Sequence, residues 1–355
     1  MHKSLPIITT TTRHRNNPGD TYIGTGLQWL IEQVTGRDTP WYIVSKFTPS
    51  EFVRELPEMK RAGVAIYAGT PQYNKFSDWK FWYDDELWRK HINPNKIPVA
   101  VFAGGAGHPK PDITPERFAK ECARDRMTRK IMRARTKHAV CFTVRDEHSH
   151  AFLDRLEIEN HLLPCSATFA GKFYRVAPDP VSKRVAVVSA KPTFVQGVEP
   201  QAVIDRFLGI ARTLKEGGYR PVMVCHNAAG YAAYRDLLPH DEVFYSNDYH
   251  ALLKFYGSCE GIVSARLHAT LPAFGIGGVN RLVNISIDVR GNAVDQLGIP
   301  NVSYARATPE TVLSMLETNV VDDRARTSLL SQAADRYARV AESALKTAGW
   351  LQSEF

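Results

Sequence analysis

An alternation in the sequence constrains the fold most. Apolar runs of strand length are separated by stretches whose apolar residues recur every three to four positions. "LPIITTTT" leads into "TYIGTGLQWLIEQVTG", which stops at Gly36, and "WYIVSK" leads into "SEFVRELPEMKRAG", interrupted at Pro57. "VAIYAGT" and "IPVAVFAGG" come before one long basic helix, "TPERFAKECARDRMTRKIMRART". "HAVCFTVR" is followed by the helix "DEHSHAFLDRLEI". Strands that alternate with helices pair in parallel, because each crossover returns the chain to the same end of the sheet.

"YRVAPDPVSKR", Tyr174 to Arg184, holds two prolines among polar residues and reads as a linker. A second alternating set follows it. Strands "RVAVVSA", "RPVMVCHN", "GIVSAR" and "RLVNISI" alternate with helices, and a long helix starts near Asp322. At 355 residues the chain is long for one core. The expectation is α/β: two Rossmann-like domains, residues 1–178 and 179–355, facing a central cleft, with the long C-terminal helix in the second.

Charge narrows the partners. A formal charge of +8 points to an acidic partner such as a phosphorylated metabolite, an anionic glycan, nucleic acid or a membrane surface. The N-terminal apolar patch is too short for a signal-peptide core, and no apolar run has the length of a membrane span. A cytoplasmic protein is expected. Five widely spaced cysteines with no CxxC fit reduced, mostly buried thiols and no metal site. Residues 123–137 carry seven arginines and lysines, which could track phosphates. A solvated face over a buried Met127–Ile131 stripe explains them as well, and no nucleic-acid module accompanies them. No nucleic-acid partner is expected.

Ligands of open parallel sheets bind beyond the carboxyl ends of the strands, and three strand ends stand out. In "RHRNNPGDTYIGTG", Asn17, Gly19 and Asp20 precede the first helix, whose free amides could face an anion; a plain N-cap and turn fit equally. In "FTVRDEHSHAFL", Arg145, Asp146 and Glu147 follow a strand, either as site residues or as a cap with a surface ion pair. In "GIVSARLHATLPAFGIGG", Pro272 fits only the first turn of an unkinked helix, so that helix begins near Ala269 or Thr270. Arg266 then lies in the turn and His268 beside the helix N-terminus, an end that favours anions.

These three segments, in this order, resemble the polysaccharide pyruvyl transferase family. "NNPGDTYIGTGLQWLI" resembles its Asn-x-Gly-Asp turn, "FTVRDEHSHAFLDRL" its Val-Arg-Asp-Glu-x-Ser segment, and "GIVSARLHATLPAFGIGG" its Gly-x-Arg-Leu-His-Ala signature. "VNISIDVRGNAVDQLGIP" resembles the strand and helix that come next, and the likeness runs from about Arg13 to Val302.

The resemblance implies a GT-B-like fold, with residues 1–178 on the acceptor side and 179–355 on the phosphoenolpyruvate side. It implies transfer of a pyruvyl unit from phosphoenolpyruvate onto two hydroxyls of one sugar of a cell-envelope glycan or its precursor, giving a cyclic ketal and phosphate. Phosphoenolpyruvate is then a co-substrate, and no cofactor or metal is required. His268 would be the general acid, Arg266 and Arg290 the anion clamps, and Asp20 or Glu147 the acceptor of the sugar proton. Arg145, Asn17, Gly19, His226 and Asn227 would line the cleft. A lipid-linked acceptor would add peripheral membrane contact. The chain departs from the pattern in three places. "IYAGTPQYNKFSDWKFWYDDELW" stands where a triple-glycine loop is usual, "LLPCSATF" stands for an Asp-Pro, and Arg290 stands for a lysine. The aromatics of the first of these, Tyr67, Tyr73, Phe76, Trp79, Phe81, Trp82, Tyr83 and Trp88, suit either sugar faces or a core. A GT-B glycosyltransferase with a nucleotide-sugar donor and a non-catalytic descendant of the family are the alternatives.

Overall fold

The computed structural model describes residues 7–11, 17–36, 39, 41–45, 64–69, 71–78, 92–108 and 110–351. Two parallel sheets account for the alternation. The first holds β1 (Ile7–Thr11), β2 (Trp41–Ser45), β3 (Val64–Ala68), β4 (Pro71–Tyr73), β5 (Val99–Ala106), β6 (Ala139–Val144) and β7 (His161–Leu162), in the order β2-β1-β3-β5-β6-β7 with β4 beside β5. The second holds β8 (Val181–Val188), β9 (Arg220–Cys225), β10 (Val243–Tyr245), β11 (Cys259–Ser264), β12 (Arg281–Ser286) and β13 (Asn301–Ser303), in the order β10-β9-β8-β11-β12-β13. That second order is the doubly wound pattern whose direction reverses between its first and fourth strands, here β8 and β11. The fold class expected from the sequence is therefore observed.

Helix ends follow local chemistry. α1 (Pro18–Thr35) starts at Asn17, whose side chain accepts from the Gly19 amide, with Pro18 in the first turn where its missing N–H costs nothing. The single long basic helix is in fact two, α2 (Pro115–Arg124) and α3 (Arg126–Thr136). Asp125 divides them because its carboxylate accepts from the amide and hydroxyl of Thr128, capping a new helix in place of continuing the old one. Ile131 and Met132 are buried but Met127 is exposed, so the apolar stripe lies one position further along than expected. α4 (Glu147–Arg155) follows β6 and α5 (Pro200–Glu216) follows β8. α6 (Ala228–Tyr234) follows β9, α7 (Tyr249–Gly257) precedes β11, and α8 (Leu267–Ile276) follows β11. The helix expected after β12 is a 3-10 stretch, Val289–Leu297.

The segment Cys165–Phe169, within "LLPCSATF", is a buried turn wedged between α1 and α8. Gly26 and Gly275 make this approach feasible, since a Cβ on either would lie within 2 Å of a carbonyl oxygen of Ser166 or Thr168. The long C-terminal helix, α9 (Asp323–Thr347), belongs elsewhere than expected. It crosses back onto the first sheet, where the Tyr337 hydroxyl donates to the Pro164 carbonyl at 2.6 Å and its ring meets Phe102 and Phe169. Its apolar stripe, including Leu330, Ala333, Tyr337, Ala341 and Leu345, is buried in the core shared by both sheets.

Tyr67, Tyr73 and Phe76 are buried core residues and offer no face to a sugar. Trp79, Phe81, Trp82, Tyr83 and Trp88, and the helix expected over residues 50–63, lie outside the described residues.

Candidate active site

A pocket of about 160 Å³ opens where the carboxyl ends of the two sheets meet. Asn17, Asp20 and Arg145 reach it from the first half; Lys191, Phe194, His226, Arg266, His268, Asp288 and Arg290 reach it from the second. Four permanent cations and two imidazoles thus face two carboxylates.

Arg145 is the most constrained of them. Its side chain is 0% exposed, and among the described residues no carboxylate bonds to it. One guanidinium nitrogen lies 3.7 Å from Cys165 Sγ and 3.4 Å from His268 Nε2, and its Nε has no partner among the described residues. A buried cation without a counter-charge is costly unless a ligand supplies one. The chain around it is shaped to hold it. β5 bulges at Ala103, whose φ is 54°, and passes the guanidinium through glycine: a Cβ on Gly105 would lie 2.3 Å from Arg145 Nε. The next residue, Asp146, is buried and caps α4, accepting from the Ser149 amide and hydroxyl and from the Ala106 amide. Gln296 of the 3-10 stretch donates to the Arg145 carbonyl at 2.5 Å, tying this turn to the second half.

On the other side, β11 delivers Arg266 and His268 beside the end of β8. Arg266 Nε donates to the Ser189 carbonyl at 3.2 Å, and burial lowers the pKa of its guanidinium. His268 has non-helical angles (φ −87°, ψ 22°), so regular helix begins at Ala269 and Pro272 falls in its first turn. Arg266 occupies the cap position without capping, which leaves the first amides of α8 without a side-chain partner. A guanidinium only donates, so His268 Nε2 accepts from Arg145 and the neutral ring carries its proton on Nδ1, against Gly19. Burial, then Arg145, Arg290 and His226, push the His268 pKa well below the ordinary 6.5.

His226 is lowered likewise, by burial and by Arg266, and its Nε2 is 2.5 Å from the Tyr256 hydroxyl. Arg290 is about a third exposed and pairs with Asp288 through backbone and side chain. Burial opposes its charge, but the Asp288 hydrogen bonds and charge outweigh burial and raise its pKa. Asp20 accepts from Asn17 at 2.9 Å.

A model of the family described as polysaccharide pyruvyl transferase matches residues 52–277, well over half of the chain. The chain belongs to the polysaccharide pyruvyl transferase family. The match contains Arg145, Arg266 and His268, whereas Asn17, Asp20 and Arg290 lie outside it. Solved structures similar to this pyruvyl transferase family member are GT-B proteins. S. aureus MnaA with UDP superposes at a TM-score of 0.54, with 9% identity over 99% of this chain and 98% of that one. UDP-GlcNAc 2-epimerase of Methanocaldococcus jannaschii, in complex with UDP-GlcNAc and UDP, gives 0.51, with 10% identity over 92% and 98%. The UDP-forming α,α-trehalose-phosphate synthase of Burkholderia vietnamiensis gives 0.50, with 10% identity over 98% of each chain. At such identities the likeness is one of fold. A search of curated proteins found no match.

Of the residues singled out in the sequence, the pocket gathers Asn17, Asp20, Arg145, His226, Arg266, His268 and Arg290. Gly19 contributes by lacking a side chain, because a Cβ there would lie 2.5 Å from His268 Nδ1. Two residues are not gathered. Glu147 is exposed on the first turn of α4, since the helix starts one residue after the capping Asp146 and turns Glu147 away. Asn227 is committed to capping α6, accepting from the Gly230 amide at 2.7 Å. Lys191, Phe194 and Asp288 line the pocket unannounced by the sequence reading. Lys191 and Phe194 follow β8, the strand at the reversal of the second sheet, and the strand-end rule applied there points to them.

Proposed function

We propose that the chain transfers the pyruvyl unit of phosphoenolpyruvate onto two hydroxyls of a sugar in a glycan or glycan precursor, forming a cyclic ketal and releasing phosphate. The observation that supports this most is the buried, carboxylate-free guanidinium of Arg145, facing Arg266, Arg290 and two neutral imidazoles in a small pocket. Such a site suits a compact ligand with two anionic groups, a carboxylate and a phosphate.

The chemistry asks for two additions at one carbon. A sugar hydroxyl attacks the phosphate-bearing carbon of the enol while the methylene gains a proton, becoming a methyl group. A second hydroxyl then takes the place of phosphate at that carbon, and its proton leaves with the phosphate. His268 is the proton donor in this reading. Its ring is neutral beside Arg145 and Arg290, and a bound carboxylate and phosphate offset those cations, so that Nε2 can be protonated when the donor is in place. Arg145, Arg266 and Arg290 hold the anion and favour the charge that develops on the departing phosphate. Asp20 receives the hydroxyl proton, the role Glu147 is placed too far outside the pocket to share.

Incubating the protein with phosphoenolpyruvate and a panel of glycans tests the reaction. Phosphate release that depends on a glycan, with a ketal-bearing product in the mass spectrum, is the expected result. Turnover of a nucleotide sugar, with phosphoenolpyruvate inert, would replace this reading with glycosyl transfer.

A further inference from the structure

The pocket floor is polar and small, and the donor accounts for its guanidiniums. A pyranose acceptor therefore has to approach from the rim. Pyranose rings present patches of C–H as well as hydroxyls, and flat aromatic faces pack against those patches. The aromatic segment that the sequence suggested for this role does not supply it from its described residues: Tyr67, Tyr73 and Phe76 are all 2% exposed or less.

Phe194 is the one phenyl, tyrosyl or indole side chain among the described residues that line the pocket. It is 53% exposed, which is unusual for a phenylalanine, and among the described residues no other aromatic ring packs on it. Its loop leaves β8 at the reversal of the second sheet, the place where open sheets hold ligands. The Lys191 ammonium lies 4.4 Å from the centre of the ring, held by the negative π-face, and this contact orients the ring from one side. Pro192 and the 3-10 turn Pro192–Phe194 limit how far the loop can rearrange. Val195, the next residue, is buried in the core of the second half and anchors the platform.

We propose that Phe194 is the stacking platform for the acceptor pyranose, oriented by Lys191 at the rim of the donor pocket. This rests on the pyruvyl-transfer reading. It assigns acceptor recognition to a loop of the second half, in place of the first half suggested by the resemblance.

The test uses the full chain with methyl glycosides of glucose, galactose and mannose as probes, followed by saturation-transfer NMR in the presence of phosphoenolpyruvate. At least one glycoside should receive saturation at its ring C–H protons from wild-type protein. Phe194→Ala should weaken that binding about tenfold, the scale of one aromatic contact. Phe194→Trp should keep it. The melting temperature should be unchanged in both variants, and phosphoenolpyruvate affinity, measured by calorimetry, should fall less than glycoside binding. Absence of glycoside binding by wild-type protein, or equal binding by Phe194→Ala, would overturn the proposal. A wild-type protein that binds a glycoside through Phe194 but ignores phosphoenolpyruvate would sink the donor reading and leave the platform standing.

Discussion

The turn after β6 and the turn after β11 each bring an arginine to the same pocket, yet their polar groups are satisfied in opposite ways. After β6, Asp146 takes the Ser149 amide and hydroxyl and the Ala106 amide, so the turn is complete within the protein. After β11, Arg266 caps nothing, His268 breaks the helix, and the turn is braced by Ser264, through the Arg266 amide and carbonyl, and by the Ser189 carbonyl, which accepts from Arg266 Nε. A turn that satisfies itself holds a clamp at a fixed position. A turn that leaves a helix start without a side-chain cap, beside a neutral imidazole, has capacity left for a ligand and for a proton. On the proposed function, the first is then a support and the second the reacting end.

Substitutions at the two turns should separate these roles. The largest effect on rate belongs to the β11 turn: His268→Ala or Arg266→Ala should lower turnover by about 10²–10⁴, with little change in melting temperature. Equal turnover in steady-state assays would remove both residues from the chemistry. The largest effect on stability belongs to the β6 turn. Asp146→Ala leaves two amides and a hydroxyl unmatched and should cost about 3 kcal/mol, read by denaturant melts; a loss below about 0.5 kcal/mol, the range of ordinary surface changes, would contradict the supporting role. Smaller and more local is Gly105→Ala. The new methyl would occupy the space of Arg145 Nε and displace the guanidinium, weakening phosphoenolpyruvate binding about tenfold or more. Calorimetry showing unchanged affinity would mean that Arg145 does not hold the donor.

Much of this was legible in the residues, for identifiable reasons. A cation placed between a buried strand and an apolar helix has few places to go other than the strand's end, which is why Arg145, Arg266 and His268 could be singled out. Pro272 located the start of the regular part of α8, at Ala269, to within a residue. Between adjacent carboxylates the sequence is less informative, because a shift of one residue in the helix start decides which one caps; Asp146 does, and Glu147 is turned out to solvent. Asp125 shows the same limit, since nothing in an uninterrupted basic amphipathic pattern marks the residue that prefers its own cap. The return of α9 to the first sheet is set by long-range packing of Tyr337 on Phe102 and Phe169, to which periodicity is blind. Phe194 was missed because a loop phenylalanine after a strand has no periodic signature.

The proposed function requires that a compact dianion fits among Arg145, Arg266, Arg290 and His268, and that its binding charges the imidazole. Without the anion, burial and the neighbouring cations hold the His268 pKa below 6.5, so the ring is neutral at neutral pH. A bound dianion raises that pKa, so binding must take up protons, and affinity must rise as the pH falls toward the raised value. Calorimetric titration of phosphoenolpyruvate at pH 7.5, in two buffers of different ionisation enthalpy, measures this uptake directly, and subtracting the uptake of His268→Ala cancels the ligand's own ionisation. The expected result is saturable binding of phosphoenolpyruvate with a proton uptake that is larger in the wild type than in His268→Ala. Binding of UDP with none of phosphoenolpyruvate, or identical proton uptake in the two proteins, would contradict it.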